Sequence, residues 1–419
     1  MDYLKELYSR RGGGMKFGLE RIEKFIDYLK NPQNKFKSIH VAGTNGKGSV
    51  VNIIAKILQE YGLKVGQFIS PHLVDYNERI QINSEKIKSE SIKRYFKQWK
   101  KYLNSEEITF FEITTALGFQ EFYENKVDVA VLETGLGGRL DATNVVNSDI
   151  AVITAIAHDH TSILGNTLEK ITFEKAGIIK IGKPVITLRQ DPIIIDVLEK
   201  KAKEMETSLK VVDSQKVITN VKVSSGAMSF NIVGYDEKFE TDLIGLHQVE
   251  NFALAVETVR LFLDNKISGK IIKDAIKKVS WKGRFEIISK KPEIIYDVAH
   301  NYFGAEALMN VLNKIYPQKK IKFVIGILKN KQILEILKLI DKKSKSISIA
   351  PINIKRSYTY TELKEMLDKR SKISIFKNIN LAINNEIISS NKNDVICIFG
   401  SHYIGEDVYR FKKNFTPKR

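Results

Sequence analysis

A run of glycines around one lysine, Ala42-Gly-Thr-Asn-Gly-Lys-Gly-Ser49, follows a strand-like stretch, Lys37-Ser-Ile-His-Val-Ala42, and opens a helix-like one, Ser49 to Tyr61. Residues of these types in that setting can hold phosphate. Glycines let backbone N–H groups approach phosphate oxygens, a helix start adds positive dipole, and Lys47 neutralises charge. A hydroxyl after the lysine can ligate Mg2+. The run departs twice from the general pattern G-x-x-x-x-G-K-[ST]: Val41 stands where the first glycine belongs, and Gly48 separates Lys47 from Ser49. The physical argument survives both departures; the plain alternative is a glycine-rich turn without a ligand. As a nucleotide loop, its candidate contacts are Gly43, Thr44, Asn45, Gly46, Lys47, Gly48 and Ser49, with Lys47 also a catalytic candidate.

Other chemistry-bearing residues sit at the ends of apolar runs. Glu133 closes a strand-like segment after the loop, where a carboxylate can reach a metal beside phosphates; alone it reads as a solvated charge. His158 and His160, two apart, raise the question of zinc, but seven histidines in all and no neighbouring cysteine argue against it. Lys175 reads as a solvent-facing helical lysine, and Asn251 as a helix residue opposite Phe252, Ala255 and Val256. Arg284 adjoins Gly283 in a linker-like stretch. Asp297 and His300 follow a strand of a later α/β series, where open α/β sheets place ligands.

The elements that must position these residues alternate. Arg21 to Lys30 has helical spacing; Val65 to Ser70, Val127 to Glu133 and Ile150 to Ile156 read as strands, the last two buried on both faces of a parallel sheet. From about Lys210 to Gly245 the period shortens, with strands at Val217–Val223, Met228–Val233 and Phe239–Ile244 separated by Ser224-Ser-Gly and Gly234-Tyr-Asp turns. Asn251 to Leu263 returns to helix. A second series from about Glu286 offers strands at Ile294–Asp297, Lys322–Gly326, Ile347–Ala350 and Val395–Gly400. The expected fold is therefore α/β: a doubly wound, mostly parallel sheet carrying the phosphate loop, a small appended antiparallel sheet, then a second, smaller Rossmann-like α/β domain. The expected division is residues 1–280 and 281–419, with the boundary within Ser280–Phe285.

A chain of 419 residues accommodates two domains of ~100–200 residues or more. Apolar content of 43% and charged content of 28% describe a globular chain, and no apolar run approaches the ~18 residues of a membrane span. Met1-Asp2-Tyr3-Leu4-Lys5 lacks the apolar core of a signal peptide, and the single Cys397 leaves no internal disulfide, so the cytoplasm is expected. The net charge of +18 invites an acidic partner, but the lysines are scattered, and Tyr95, Phe96 and Trp99 read as the buried face of a helix. No nucleic acid, no membrane and a monomer are expected.

Taken together, Ala42–Ser49, Ser70-Pro-His-Leu, Asn77-Glu-Arg-Ile, Glu133-Thr-Gly-Leu-Gly-Gly-Arg-Leu-Asp-Ala-Thr-Asn144, His158-Asp-His-Thr, Glu174-Lys-Ala-Gly-Ile, Gly245-Leu-His-Gln-Val-Glu-Asn251, Gly283-Arg-Phe-Glu and Asp297-Val-Ala-His-Asn301 resemble the folate branch of the Mur ligase superfamily, the folylpolyglutamate synthase/dihydrofolate synthase family. The resemblance spans roughly residues 12 to 405. It implies an ATP-dependent ligase that adds L-glutamate to the γ-carboxyl of a folate through an acyl phosphate, and also to dihydropteroate. By resemblance, Asn251, Arg284 and Asp297 join the loop in binding ATP; Ser70, Glu133 and His160 hold Mg2+, with two sites expected; and Lys175 carries a CO2-derived carbamate. His300 and Ser401 are implied to position glutamate, His300 being also a catalytic candidate, while Phe111, Glu112, Leu140, Asp141 and Ala142 are implied to line the pterin site. Two departures stand out: Tyr302 follows Asn301 where the family usually has Pro, and His402-Tyr403 follow Ser401 in a variable segment. The nearest alternative is a Mur-type ligase of peptidoglycan precursors, which generally carries an additional N-terminal domain that a loop beginning at Gly43 leaves no room for.

Overall fold

The computed structural model describes residues 3–10, 18–329, 331–367 and 372–414, so Met1 and Asp2 of the N-terminal segment considered above lie outside the described residues. The apolar runs rich in Val and Ile become the strands of an eight-stranded sheet. Its members are β1 (Lys37–Ala42), β2 (Val65–Phe68), β3 (Ile80–Ile82), β4 (Glu85–Lys86), β5 (Val129–Glu133), β6 (Ile150–Ile153), β7 (Val185–Leu188) and β8 (Leu209–Val212). Their order is β4-β3-β2-β5-β1-β6-β7-β8. From β2 to β8 the pairing is parallel, and β3 and β4 add an antiparallel edge. β5 is buried along its whole length, as a strand covered on both faces must be. Helix Lys47–Glu60 leaves the end of β1, buries Val50, Val51, Ile53, Ile54, Ile57 and Leu58, and packs against helix Gly269–Lys278. Full burial of each such aliphatic side chain contributes roughly 1.5–3 kcal/mol.

The small sheet has β9 (Ile218–Ser224), β10 (Ala227–Ile232) and β11 (Lys238–Thr241) in the order β11-β10-β9. Helix Leu246–Phe262 begins five residues ahead of the expected Asn251. A six-stranded sheet follows, from β12 (Glu286–Lys290), β13 (Glu293–Asp297), β14 (Ile321–Ile325), β15 (Ser344–Ile349), β16 (Ile373–Ile375) and β17 (Val395–Phe399), ordered β12-β13-β17-β14-β15-β16. All its pairs are parallel except β12 with β13. Strands β3, β4, β12 and β16, at a sheet edge or next to one, had no clear alternation in the sequence; they are set by pairing to a neighbour.

Two compact units result: Met1–Asn220 with Phe230–Phe239 and Val249–Val279, and Val221–Ser229 with Glu240–Gln248 and Ser280–Arg419. Segments 221–229 and 240–248 thus group with the second unit although they precede residue 281 in the chain. Ser225 Oγ donates to Glu293 at 2.6 Å, and Ile244 joins the core of Phe285, Ile295 and Leu308, which is what draws these segments in. Among the described residues no helix is long and apolar enough to cross a membrane.

Candidate active site

In the first unit, β1 lies between β5 and β6, with Val41 level with Glu133 and Ala42 level with Ile153. The loop leaving β1 is therefore flanked by the carboxyl ends of both neighbours. Gly43 has φ +155°, and a Cβ there would lie 1.8 Å from Thr154 Oγ1; Gly46 has φ +87°, and its Cβ would lie 2.4 Å from Asn251 Oδ1. Both positions need glycine, and Asn251 is thereby placed against the loop. The residues after β6 clamp it: Thr44 N–H donates to Ala155 O at 2.9 Å, Thr154 Oγ1 donates to Asn45 O at 2.8 Å, and Thr44 Oγ1 donates to Ala157 O at 3.0 Å.

Helix Lys47–Glu60 starts after Gly46, and its first intrahelical bond runs from Val50 N–H to Gly46 O. The N–H groups of Lys47, Gly48 and Ser49 have no carbonyl behind them in the helix, the arrangement that binds anions. Ser49 Oγ is buried without a hydrogen-bond partner. Lys47 Nζ turns back onto Gly43 O at 3.1 Å and Thr44 O at 3.2 Å.

Lys175, from helix Leu168–Ala176, is buried and donates to Gly43 O at 2.7 Å. Burial first, then the positive charge of Lys47, lowers its pKa to about 7 against the partial opposition of Asp159 and Asp141. This differs from the solvent-facing lysine of the residue-level reading. The loop after Glu133 braces that helix: Arg139 N–H donates to Glu174 O at 2.7 Å, its guanidinium meets the Glu174 carboxylate at 2.9 Å, and a Cβ at Gly138 would lie 2.8 Å from Lys175 O.

Glu133 is buried, and its carboxylate accepts the Ser70 N–H at 3.0 Å, so these two candidate ligands are adjacent. His160 sits at φ +51°, half-buried, with Nε2 3.9 Å from Asp159 Oδ1. His158 is exposed. Among the described residues no group of three or more His, Cys, Asp or Glu side chains is gathered for a metal. The donors beside the loop are a carboxylate and hydroxyls. That set fits Mg2+, which takes one or two carboxylates plus phosphate oxygens and water; the partnerless Ser49 Oγ fits the same ion.

The pterin candidates gather around residues 134–142. Phe111 covers Gly135, where a Cβ would lie 2.5 Å from its ring, and it meets Phe68 edge-on with centroids 6.0 Å apart. Leu140 is half-buried and Ala142 buried. Asp141 is buried; Oδ2 accepts Gly135 and Leu136 N–H, each at 2.8 Å, and Oδ1 accepts the Thr143 N–H and hydroxyl at 3.0 and 2.5 Å. Its carboxylate shapes this loop. Glu112 is likewise engaged, accepting Thr109 N–H at 2.8 Å in a capping box and meeting Arg21 at 3.1 Å.

In the second unit, Asp297 ends β13 level with Phe399 of β17, which brings the residues after both strands together. Asp297 accepts N–H groups of Phe285 at 2.8 Å and Ala299 at 2.7 Å; burial raises its pKa, opposed chiefly by Arg284. His300 Nδ1 is 3.0 Å from Val298 O, which makes Nδ1 the protonated nitrogen of the neutral ring. The His300 and His402 rings are 5.6 Å apart, and Arg284 Nη2 is 3.5 Å from His402 Nε2. Ser401 Oγ accepts the Tyr403 N–H at 3.1 Å, and Tyr296 donates to Ser401 O at 3.3 Å. Asn301 caps helix Tyr302–Ile315 through Gly304 N–H. Tyr302 is the first helical residue, a place where Pro is common because its missing N–H is not needed, so that departure leaves the backbone unchanged.

Three residues near these candidates escaped the sequence reading. Arg79 is buried, donates to His72 Nδ1 at 2.7 Å and lies 5.3 Å from the Phe110 ring centre. His247 has its pKa lowered to about 4 by burial and by Arg284. His402 meets both Arg284 and His300. Each lay inside or beside a quoted motif, but nothing in spacing alone showed which way the side chain turned.

Comparison with known proteins shows the family. The Mur ligase middle domain matches residues 41–259, and the Mur ligase glutamate ligase domain matches 283–402. The chain is 34% identical over 417 residues to the dihydrofolate synthase/folylpolyglutamate synthase of Bacillus subtilis, covering 96% of each. It superposes with TM-score 0.83 at 30% identity on a bifunctional folylpolyglutamate synthase/dihydrofolate synthase of Yersinia pestis complexed with AMPPNP and a Mn ion, covering 97% of this chain and 96% of that one. A further structure of such a bifunctional enzyme, with Mn, AMPPNP and L-glutamate bound, matches with TM-score 0.82 at 30% identity over 98% of this chain and 96% of that one. The chain belongs to the Mur ligase family, in its folylpolyglutamate synthase/dihydrofolate synthase branch.

Proposed function

We propose that this chain joins L-glutamate to the γ-carboxyl of folates and to the carboxyl of dihydropteroate, at the expense of ATP and through an acyl phosphate. The observation that carries the reading is the bare helix start at Lys47–Ser49, with Glu133 level with the strand that leads into it and the buried Lys175 on Gly43 O. The acceptor carboxylate attacks the γ-phosphate, and its oxygen gains the phosphoryl group while ADP leaves. The amine of glutamate then attacks the acyl carbon, expelling phosphate and releasing a proton. Lys47, the loop N–H groups and Arg284 oppose the negative charge that grows on the transferring oxygens. Ser70, Glu133 and His160 would hold Mg2+, which would supply positive charge at the phosphates. Asn251 contacts the nucleotide beside Gly46, Asp297 orders the residues near ATP and glutamate, and His300 and Ser401 position glutamate. Phe111, Leu140 and Ala142 offer the pterin an apolar wall, with Asp141 and Glu112 holding the backbone behind it.

A carbamate on Lys175 belongs to the same proposal. The neutral amine attacks CO2, the C–N bond forms as one C=O π bond opens onto its oxygen, and the nitrogen loses a proton to solvent, so that a carbamate anion replaces the neutral amine. An ordinary lysine is only ~0.1% neutral at pH 7.5, whereas a pKa of about 7 leaves most of this one neutral. The proposal further assigns residues 1–280 to ATP and folate and 281–419 to glutamate, in a cytoplasmic monomer.

ADP release with MgATP and L-glutamate, comparing tetrahydrofolate, dihydropteroate and a UDP-muramyl precursor, tests the reading. Turnover with both pterins, and glutamylated products by mass, are expected. Turnover with the muramyl precursor alone would overturn the folate assignment and leave only the ligase chemistry.

A further inference from the structure

We propose that His40 is a positioning residue for the pterin-bearing substrate, acting through a buried relay to the loop that follows Glu133. The inference rests on the function proposed above and adds a residue that no motif assigns. His40 lies in β1, paired with Leu132 of β5, and is fully buried. Its Nε2 is 2.8 Å from Thr143 Oγ1, and that hydroxyl is 2.5 Å from Asp141 Oδ1. Asp141 Oδ2 in turn holds the N–H groups of Gly135 and Leu136.

Proton counting fixes the direction. A threonine hydroxyl has one proton, and an ionised carboxylate can only accept. The Thr143 proton therefore goes to Asp141, and Thr143 Oγ1 must accept from His40. His40 is then the Nε2–H tautomer, which leaves Nδ1 as an acceptor; Nδ1 is buried with no partner. Burial first, and Lys180 second, lower the His40 pKa to about 3, so the ring stays neutral and the relay keeps one direction at every pH an assay would use. Burial alone raises the pKa of Asp141, and the donors from Thr143, Leu136 and Gly135 oppose that. Withdrawing the proton supply behind Thr143 weakens the set of donors that orients this carboxylate.

The consequence is local. What hangs on Asp141 is the backbone at Gly135, directly under the Phe111 ring, and so the wall assigned to the pterin. The nucleotide loop leaves the same strand and meets, through Lys175, the helix braced by the loop after Glu133, but most of its backbone bonds run to Thr154, Ala155 and Ala157. A defect in the relay therefore reaches the acceptor more than ATP.

The test compares wild type with His40→Leu, His40→Gln and Thr143→Val, measuring ADP release with tetrahydrofolate and ATP varied in turn. His40→Leu and Thr143→Val are expected to raise the acceptor KM at least tenfold while the ATP KM stays within twofold. His40→Gln, whose side-chain N–H can reach Thr143, is expected to recover most of the loss. The proposal is overturned if the acceptor KM is unchanged in Thr143→Val, if both KM values rise together, or if the Gln variant is as impaired as Leu. Should His40→Leu lose its cooperative thermal transition, the Thr143→Val and His40→Gln pair carries the same comparison. Nitrogen-15 NMR of the wild-type histidine ring reads the relay without turnover: a neutral ring protonated on Nε2 supports it, and protonation on Nδ1 refutes it. If wild type turns over no pterin, the function assignment fails while the NMR result still decides the relay.

Discussion

Replacing Lys175 with Met should raise stability at neutral pH and remove one identifiable part of its pH dependence. The amine has an ordinary pKa of 10.5 and a folded-state pKa of about 7, a gap equivalent to roughly 5 kcal/mol. The sign follows from proton binding. Below pH 7 the group is charged in both states and folding carries the full penalty of burying that charge. Above 10.5 it is neutral in both and the penalty is gone. Between these limits the unfolded chain binds about one more proton than the folded one, so stability rises by about 1.4 kcal/mol per pH unit. Met fills similar space without a charge, and Lys47 remains to satisfy Gly43 O. In CO2-free buffer, the stability of wild type relative to Lys175→Met should therefore climb by about 2–3 kcal/mol between pH 7.5 and 9.5, read from denaturant titrations. A difference that stays flat over that range would refute the burial argument, and with it the reason for expecting a reactive amine.

Three other perturbations test separate links. Lys47→Met should lower kcat by ~10²–10³, the usual loss for one preorganised electrostatic donor; near-normal turnover would remove this loop from the mechanism. Ser49→Ala removes a hydroxyl with no partner in the protein, so the melting temperature without ligand should hardly move while MgATP binding by calorimetry weakens at least tenfold; unchanged affinity would exclude Ser49 from the metal. In the second unit, Lys322 and Glu386 form a buried pair at 3.5 Å, with Ser346 and Ser348 also donating to the carboxylate. Glu386→Ala should cost about 3–5 kcal/mol by stranding the Lys322 charge, and Lys322→Met with Glu386→Leu should recover most of it; equal losses in the single and double variants, by denaturant titration, would contradict that account.

The sequence by itself determined what depends on short-range order. Apolar runs such as Val127–Leu132 have one stable use, a strand covered on both faces, and the glycines at 43 and 46 mark a turn that only glycine fits, so the sheet and its phosphate loop were legible. So was the family, because many short motifs recur in one order. Strands β3, β4, β12 and β16, at or next to a sheet edge, were not legible, since such strands draw their stability from the neighbours they pair with. The grouping of 221–229 and 240–248 with the second unit was equally hidden, because partners such as Glu293 lie far along the chain. Among site residues the division is the same. Lys47 and Glu133 could be picked from type and position. Lys175 is an ordinary helical lysine in one dimension; only packing against Gly43 and beside Lys47 depresses its pKa. Asp141 and His40 show the limit most clearly. Whether a carboxylate meets substrate or holds a loop, and whether a strand histidine is filler or donor, depends on which atoms come within about 3 Å, and long-range packing alone decides that.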